Sequence, residues 1–405
     1  MYFHRILEEK LLAISQQFPV LLLTGPRQVG KTTLLRFLCE PGRTYISLDD
    51  FALRDLAHRD PVLFFKQFRP PLLIDEIQYA PQLLPYIKMY VDETNSNGGF
   101  WLTGSQQYHL MKGVTESLAG RVAIVNLLGF SQKERHQIPR QSKPFLPGQT
   151  HPGKHEYVTD LQEIYTAIWT GAFPVTITDP TLDKRLFYNS YLQTYLQRDV
   201  RDLAQVASLE QFTRFIKVCA ARTGQLLNYS DLARDVDISV NTAKSWLSLL
   251  VTNFQVFLLS PYHSNLTKRL VKTPKLYFLD TGLCAFLTEW TSPQTLQAGA
   301  MSGSIFETFA ITEILKSWWF HGEQPQLYYY RDKDGKEIDL LIIRDNIIHP
   351  IEMKCGATVK SSWVHHFSLL DRLQMQRGEG AVICLSNRIQ YIDAMNTAIP
   401  VGAIG

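Results

Sequence analysis

The chain has 405 residues, of which 45% are hydrophobic, and it carries a formal net charge of +3. This length allows two or three domains with their own cores, and the mild charge excludes nucleic-acid binding through bulk basicity alone. Five scattered cysteines without a CxxC pair exclude a disulfide framework and a zinc knuckle, which favours a reducing cytoplasm.

The N-terminal segment predicts an amphipathic helix. Its apolar residues are interrupted by Arg5, Glu8, Glu9 and Lys10, which distinguishes it from the apolar core of a signal peptide. No uninterrupted apolar stretch is long enough to span a bilayer. We therefore expect a cytoplasmic protein that has no membrane partner.

The first chemical motif lies in LLLTGPRQVGKTTLLRFL, residues 21–38, which matches the pattern G-x-x-x-x-G-K-[ST]. Val20–Leu23 predicts a buried strand and Lys31–Leu38 a helix, so a glycine-rich loop joins the two. Backbone N–H groups of such a loop surround phosphate oxygens, the lysine reaches the outer phosphates and the threonine hydroxyl ligates Mg²⁺. The predicted nucleotide-binding residues, with Thr32 also as metal ligand, are Gly25, Pro26, Arg27, Gln28, Val29, Gly30, Lys31, Thr32 and Thr33.

A second strand, PPLLIDEIQ, ends in two adjacent carboxylates. We predict that Asp75 holds Mg²⁺ and that Glu76 polarises the attacking water as a general base. A third strand, GGFWLTGS, ends in Thr103 and Ser105. We predict that Ser105 contacts the terminal phosphate and the water, with helix capping as the alternative for either residue.

Two more strands are predicted at Thr44–Leu48 and Arg121–Leu127, with helical patterns between the strands. Strands that alternate with helices indicate a parallel sheet with the ligand at the carboxyl ends of its strands.

Residues 1–135 resemble an AAA-type ATPase of the additional-strand class through GPRQVGKTT, LDD, LLIDEIQ, LTGSQ and SLAGR. The whole chain is similar to one prokaryotic branch of these ATPases, whose members carry a winged helix and a nuclease-like tail. The resemblance implies ATP as cofactor, and the absence of an N-K-x-D motif also favours ATP over GTP. It further implies an arginine that completes the γ-phosphate site, often from a neighbouring copy in a homo-oligomer. Arg121 is the candidate by position, and Arg27 is the alternative.

Residues 136–158 are polar and dense in proline, glycine and histidine, which predicts a linker or an excursion loop. Helical patterns follow, and Leu226–Leu259 then has the form of a helix-turn-helix. We predict that Ser230 and Ser239 cap its two helices and that the chain turns at Asp237. The second helix carries the polar residues Asn241, Thr242, Lys244 and Ser245.

Phe254–Leu259 and Lys275–Leu279 predict two strands that flank a loop. This loop would be a wing with the basic residues Lys268, Arg269 and Lys272. Polar helix residues and a basic wing suit contact with the DNA backbone. Winged helices attached to ATPases also act as lids or protein-docking surfaces, so that alternative stays open.

The last predicted domain starts near residue 302 with a helix that carries Glu307 near its start. If residues 345 and 346 form a two-residue turn in the strands that follow, residue 344 pairs with 347 and Asp339 lies opposite Glu352. Opposed carboxylates repel each other unless a cation lies between them, and Mg²⁺ would be such a cation. Lys354 lies opposite Glu337 in the same register, so a structural ion pair is the alternative.

The order of Glu307, Asp339, Glu352 and Lys354 resembles the PD-(D/E)XK nuclease core. The resemblance implies that the acids hold metal, with Asp339 and Glu352 as ligands, and that Lys354 positions the water that attacks phosphorus. Ile338 stands where the family usually has proline. The fold is expected on this ground, while such tails also occur as binding modules that do not cut.

The predicted fold class is therefore α/β, with a P-loop parallel sheet, a helical and winged-helix part, and a restriction-endonuclease-like α/β part. The predicted boundaries are residues 1–135, 136–158, 159–290 and 300–405. The predicted function is Mg²⁺-dependent ATP hydrolysis coupled to the winged-helix and nuclease-like parts, acting on DNA. Two alternatives stay open: a nucleotide-dependent protein-docking switch with an inactive nuclease fold, and a metal-dependent nuclease for which ATP only licenses assembly.

Overall fold

The computed structural model describes residues 2–105, 113–114, 116–149, 160–195, 209–263 and 273–405. The N-terminal unit is built on a sheet of five parallel strands, in the order β2-β3-β4-β1-β5. The strands are β1 Val20–Thr24, β2 Thr44–Ser47, β3 Leu72–Asp75, β4 Phe100–Gly104 and β5 Val122–Asn126. This confirms the predicted parallel sheet, and it places the carboxyl ends of β1, β3 and β4 side by side.

Helices cover the N-terminal sheet on both faces. The helices of this unit are α1 Glu8–Ser15, α2 Lys31–Leu38, α3 Phe51–Arg59, α4 Pro61–Gln67, α5 Leu83–Thr94 and α6 Gln132–Arg135, with a 3₁₀ helix at Ile77–Tyr79. Side chains alternate along β1, because Leu22 packs into one cluster with α5 while Leu21 and Leu23 enter a second cluster on the opposite face. The second cluster continues into the rest of the molecule, so the N-terminal unit is not an isolated body.

The middle unit consists of helices and a small antiparallel sheet. Its helices are α7 Leu161–Thr170, α8 Pro174–Thr178, α9 Lys184–Tyr195, α10 Leu209–Ala221, α11 Tyr229–Val236, α12 Val240–Thr252, α13 Thr281–Leu287 and α14 Pro293–Ala298. Its strands are β6 Gln225–Leu226, β7 Val256–Leu259 and β8 Lys275–Phe278, in the order β6-β8-β7. The two predicted helices and the two predicted flanking strands are therefore present.

One predicted cap in the middle unit is wrong. Asn228, not Ser230, caps α11, because the Asn228 carboxamide oxygen accepts from the N–H groups of Ser230 and Asp231. Ser239 caps α12 as predicted, and Asp237 adopts the left-handed conformation at the turn. The predicted wing residues Lys268, Arg269 and Lys272 lie outside the described residues.

The C-terminal unit packs one long helix, α15 Ser302–Trp319, against a mixed sheet of seven strands. The strands are β9 Gln326–Arg331, β10 Glu337–Arg344, β11 Ile347–Lys354, β12 Gln376–Arg377, β13 Gly380–Cys384, β14 Gln390–Tyr391 and β15 Asn396–Pro400. Further 3₁₀ helices span Pro139–Gln141, Ser361–Arg372 and Val401–Ala403. The order is β14-β15-β13-β11-β10-β9, with β12 beside β11.

The hairpin between β10 and β11 has the predicted register. Arg344 pairs with Ile347 and Leu340 with Ile351, and the turn residues Asp345 and Asn346 both have positive φ angles, of 51° and 63°. A two-residue turn of this kind matches the twist of the flanking strands and thereby fixes their register.

The described part of the predicted linker, residues 136–149, is docked on the C-terminal unit. Phe145 is 3% exposed, its N–H donates to Ser317 Oγ over 2.9 Å, and its carbonyl accepts from Trp318 Nε1 over 3.0 Å. This loop therefore fastens the N-terminal unit to α15.

The small sheet of the middle unit is joined to the large sheet of the C-terminal unit. Tyr329 on β9 accepts from the N–H of Tyr262 over 2.6 Å and donates its own N–H to Ser260 over 3.1 Å. One apolar cluster runs through β1, α12 and α15, so all three units share a core. Among the described residues, no helix has both the length and the apolar character needed to cross a membrane.

Candidate functional site

The glycine-rich loop curls tightly between β1 and α2. Gly25 has a φ of 147°, and a Cβ atom there would lie 2.0 Å from the Leu127 carbonyl oxygen, so only glycine fits. Gly30 has a φ of 89° and directly precedes α2. The space around a Cβ at Gly30 is open, which leaves room for a ligand above the start of the helix. The loop thus has the shape of a phosphate cradle.

Lys31 reaches across this cradle. Its Nζ donates to the carbonyl oxygens of Gly25 over 3.0 Å and Pro26 over 2.7 Å, and the residue is only 6% exposed. A buried ammonium that bonds to neutral carbonyls is well placed to bind phosphate oxygens, since a charge-assisted hydrogen bond is stronger than a neutral one.

The predicted Mg²⁺ ligands of the nucleotide site lie in contact. Thr32 Oγ1 donates to Asp75 Oδ1 over 2.7 Å, and the Thr103 hydroxyl donates to the same oxygen. Tyr45 donates to the other oxygen, Asp75 Oδ2, over 3.2 Å. A hydroxyl and a carboxylate at the mouth of a phosphate cradle are oxygen donors of the kind that Mg²⁺ prefers. The residues present therefore fit this ion.

Glu76 follows Asp75 in an unusual backbone conformation, with a φ of 57°. Its N–H donates to Thr103 Oγ1 over 3.0 Å, and its carboxylate accepts from the Gln78 amide and, over 3.3 Å, from Ser105 Oγ. Ser105 therefore lies next to Glu76. The contacts of Gln78 were not predicted, because nothing in the pattern DEIQ shows that the side chain folds back.

Arg121 lies at the amino-terminal end of the parallel strands, whereas the P-loop lies at their carboxyl end. It directly precedes β5, its carbonyl accepts from Val20 N at the start of β1, and its guanidinium pairs with Asp92 over 3.0 Å. The P-loop begins at the other end of β1, about 17 Å away at ~3.3 Å per residue. Arg121 therefore lies too far from its own P-loop to contact a γ-phosphate there.

The C-terminal acids come together as the hairpin register predicts. Asp339 Oδ2 accepts from Met353 N over 2.8 Å and lies 3.8 Å from Lys354 Nζ, which also bonds to the Glu352 carboxylate. Burial, and next the nearby Asp339, raise the pKa of Glu352 above its usual range. Burial by itself lowers the pKa of Lys354, but the charges of Asp339 and Glu352 raise it overall.

Glu307 is held by residues that the sequence reasoning missed. Its Oε1 accepts from Tyr277 Oη over 2.6 Å and from Lys275 Nζ over 3.2 Å, and both partners come from β8 of the middle unit. Lys275 also pairs with Glu337, so the alternative pairing of Glu337 with Lys354 is not the one that forms. Burial, followed by the charge of Asp339, raises the pKa of Glu307.

The acid cluster, defined as Glu307, Glu337, Asp339 and Glu352, fits a metal held by two carboxylates. Within the described residues, no group of three or more Asp, Glu, His or Cys side chains is arranged to hold a metal ion. However, Glu352 Oε1 is fully buried without a hydrogen-bond partner. Mg²⁺ usually binds one or two protein carboxylates and keeps several waters, so Asp339 and Glu352 suffice as protein ligands.

A buried polar path connects the glycine-rich loop with α15. It starts at Arg5, which is 5% exposed and donates to the carbonyls of Val29 over 3.0 Å and Leu128 over 2.8 Å. Arg5 Nε also donates to Glu134 Oε1 over 2.9 Å, and Glu134 is fully buried.

The path continues from α6 to α15 through a second buried ion pair. Glu313 on α15 accepts from Gln132 N over 2.7 Å, and Lys316 donates to Phe130 O over 2.9 Å and to Glu313 over 2.8 Å. Glu307 lies on the same helix, about 9 Å from Glu313 at 1.5 Å per residue. Helix α15 therefore contacts the segment that the polar path joins to the P-loop, and it also carries Glu307 of the acid cluster.

Three family models match the chain in succession. Residues 17–136 match the family described as AAA domain, residues 161–294 match a domain of unknown function, DUF8612, and residues 302–404 match another, DUF4143. Residues 17–136 form an AAA-type P-loop ATPase domain. This match supports nucleotide binding and ATPase activity, and it does not extend to the other two units.

The chain is 29% identical over 363 residues to uncharacterized proteins of Mycobacterium bovis and Mycobacterium tuberculosis, which covers 89% of this chain and 75% of each relative. Among solved structures, it is similar to RuvB of Thermotoga maritima, a Holliday junction branch migration motor. That likeness has a TM-score of 0.30 and 14% identity and covers 62% of this chain and 88% of RuvB. Such a score carries no argument about activity.

Proposed function

We propose that this protein is a Mg²⁺-dependent ATPase whose nucleotide state is coupled to the acid cluster, and that it acts on DNA in the cytoplasm. The single observation that carries the coupling is the buried polar path from Val29 through Arg5 and Glu134 to α15. A change in the P-loop on nucleotide binding has a direct mechanical route along this path to the helix that bears Glu307.

In the nucleotide site, residues 25–33 surround the phosphates and Lys31 exchanges its loop carbonyls for phosphate oxygens. Thr32 and Asp75 would hold Mg²⁺, which neutralises charge on the phosphates when bound. Glu76 accepts a proton from the attacking water, and Ser105 orients the same water. Arg121 of a neighbouring copy completes the site, so the active form is a homo-oligomer.

In the C-terminal unit, Asp339 and Glu352 would hold Mg²⁺, which supplies a Lewis acid when bound. Lys354, whose ammonium bonds to Glu352, orients the water that attacks a phosphodiester. Support for DNA as the substrate comes from α12, which exposes Asn241, Lys244 and Ser245 on one side. Small polar and basic side chains of this kind suit contacts with the phosphate backbone.

Cleavage of linear and circular DNA with Mg²⁺ or Mn²⁺, with and without ATP, tests this function in wild type, Asp339→Ala and Lys31→Ala. We expect cutting that ATP stimulates in wild type, that is lost in Asp339→Ala, and that ATP no longer stimulates in Lys31→Ala. Cutting that persists in Asp339→Ala is background. Absence of cutting beyond that background in every lane would refute the nuclease role on these substrates.

One observation favours a second candidate, a nucleotide-dependent protein-docking switch with an inactive nuclease fold. Lys275 pairs with Glu307 and Glu337 and so neutralises part of the acid cluster without a metal ion. An inactive nuclease fold needs no metal, so this pairing would not impair it. Retention of DNA as a function of salt separates the two candidates. Contacts with several phosphates predict binding that weakens steeply with salt, whereas a protein-docking surface predicts little retention at any salt concentration.

A further inference from the structure

Lys275 is a buried lysine in the midst of carboxylates. Its side chain is 5% exposed, and its ammonium contacts Glu307 Oε1 over 3.2 Å and the carboxylate of Glu337. The lysine does not belong to the C-terminal unit, because β8 lies in the small sheet of the middle unit. The acid cluster is therefore shared between two units, and one of its cations is delivered from outside the domain that carries the acids.

Strand β8 provides a second hydrogen bond to Glu307. The Tyr277 hydroxyl donates to Glu307 Oε1 over 2.6 Å, so both polar contacts of β8 converge on one carboxylate oxygen. Successive residues of a strand point to opposite faces, so residues 275 and 277 present their side chains on one face toward α15. This double contact explains why Glu307 does not join Asp339 and Glu352 in a three-carboxylate group.

We propose that Lys275 is a built-in counter-cation of the acid cluster, which occupies Glu307 and Glu337 in place of a divalent metal ion and thereby weakens metal binding. The other two carboxylates, Asp339 and Glu352, do not contact Lys275 and would hold the metal beside the ammonium of Lys354. The small sheet is then the element that sets the metal affinity of the C-terminal unit.

This inference rests on the proposed metal site but not on DNA cleavage. Its physical basis is that an ammonium and a divalent cation compete for the same negative charge, and that their mutual repulsion is strong where water is scarce. An uncompensated buried carboxylate is costly, so loss of the ammonium increases the gain from binding another cation.

Titration of the full-length protein with Mn²⁺ in the absence of nucleotide tests the proposal, with free Mn²⁺ measured by its electron paramagnetic resonance signal. We expect Lys275→Met to bind Mn²⁺ about tenfold more tightly than wild type, while Lys275→Arg, which keeps the charge, binds like wild type. Adding Glu352→Gln to Lys275→Met should abolish the gain in affinity, because Glu352 is one of the two proposed ligands. This result would locate the metal in the acid cluster and not at the P-loop.

Thermal unfolding with EDTA or Mn²⁺ covers the case in which Lys275→Met folds poorly. We expect Mn²⁺ to raise the Tm of Lys275→Met more than that of wild type, since the metal replaces the lost charge. Lys316→Met is the matched control, because Lys316 is an equally buried lysine on α15 that pairs with the single carboxylate of Glu313. Mn²⁺ should not rescue that variant.

Equal Mn²⁺ affinity of wild type and Lys275→Met, with no extra gain in Tm, would overturn the role of Lys275. If both proteins bind Mn²⁺ well, the proposed metal site stands without its counter-cation. If neither protein binds Mn²⁺, the metal site of the proposed function fails as well.

Discussion

The nucleotide site and the acid cluster each contain a buried lysine, but the two lysines bond to different kinds of group. Lys31 donates to the carbonyls of Gly25 and Pro26, which are neutral and easily exchanged for a phosphate oxygen. Lys275 and Lys354 instead bond to carboxylates and neutralise them. In the first site the lysine contacts backbone carbonyls of the loop, whereas in the second the lysines contact carboxylate side chains.

This difference shows why sites built from the same residue types differ in how readily they bind a charged ligand. A charge that bonds to neutral groups gains much from a ligand of opposite charge, because little is given up when the ligand binds. A charge that is already paired must lose its partner first. The loop of the nucleotide site therefore presents an ammonium to a phosphate, whereas the carboxylates of the acid cluster are already paired with ammonium groups.

The largest expected effect concerns the lysine of the nucleotide site. Lys31→Ala should lower the rate of ATP hydrolysis about 1,000-fold, because the variant loses the ammonium that stabilises charge on the transferred phosphate. Phosphate release measures the rate. Lys66→Ala, which replaces an exposed lysine of α4, is the control and should match wild type. An equal loss in both variants would contradict this assignment.

The counterpart in the acid cluster is an effect on stability. Lys275→Met should lower the free energy of unfolding in EDTA by about 3–5 kcal/mol, since it leaves buried carboxylates without their partner. Denaturant unfolding measures the change. Lys217→Met removes an exposed lysine that pairs with Glu289 and should cost less than about 1 kcal/mol. A small loss for Lys275→Met would mean that the acid cluster does not depend on its internal cation.

Glu76→Gln should reduce ATP hydrolysis about 100-fold while leaving ATP binding unchanged, because only the proton acceptor is lost. Binding of a fluorescent ATP analogue and phosphate release together test this. A parallel loss of binding would show that Glu76 supports the loop and does not act on water.

The smallest expected effect concerns Arg121. Arg121→Ala should lower hydrolysis about tenfold at protein concentrations where copies associate and leave it unchanged at high dilution, because the residue serves a neighbouring site. Arg59→Ala replaces an exposed arginine that pairs with Asp55 and serves as the control. A loss that is independent of concentration would refute a role between copies.

Several features were predictable because they depend on residues close together in the chain. The glycine-rich loop needs Gly25 and Gly30 for its backbone angles, and the order of loop, lysine and helix follows directly. The turn at Asp345 and Asn346 fixed the hairpin register, which brought Asp339 next to Glu352 and Lys354. The cap at Asn228 was missed, because asparagine and serine two residues apart are both good caps and only the backbone decides between them.

The sequence by itself determined the P-loop, the strand ends with Asp75 and Glu76, and the hairpin of the acid cluster, because backbone geometry and turn chemistry are local. Only the tertiary structure decided that Arg5 and Glu134 link the loop to α15, and that Lys275 and Tyr277 hold Glu307. These contacts join residues far apart in the chain. Their formation depends on how the three units pack around a shared core, and no spacing along the chain encodes that packing.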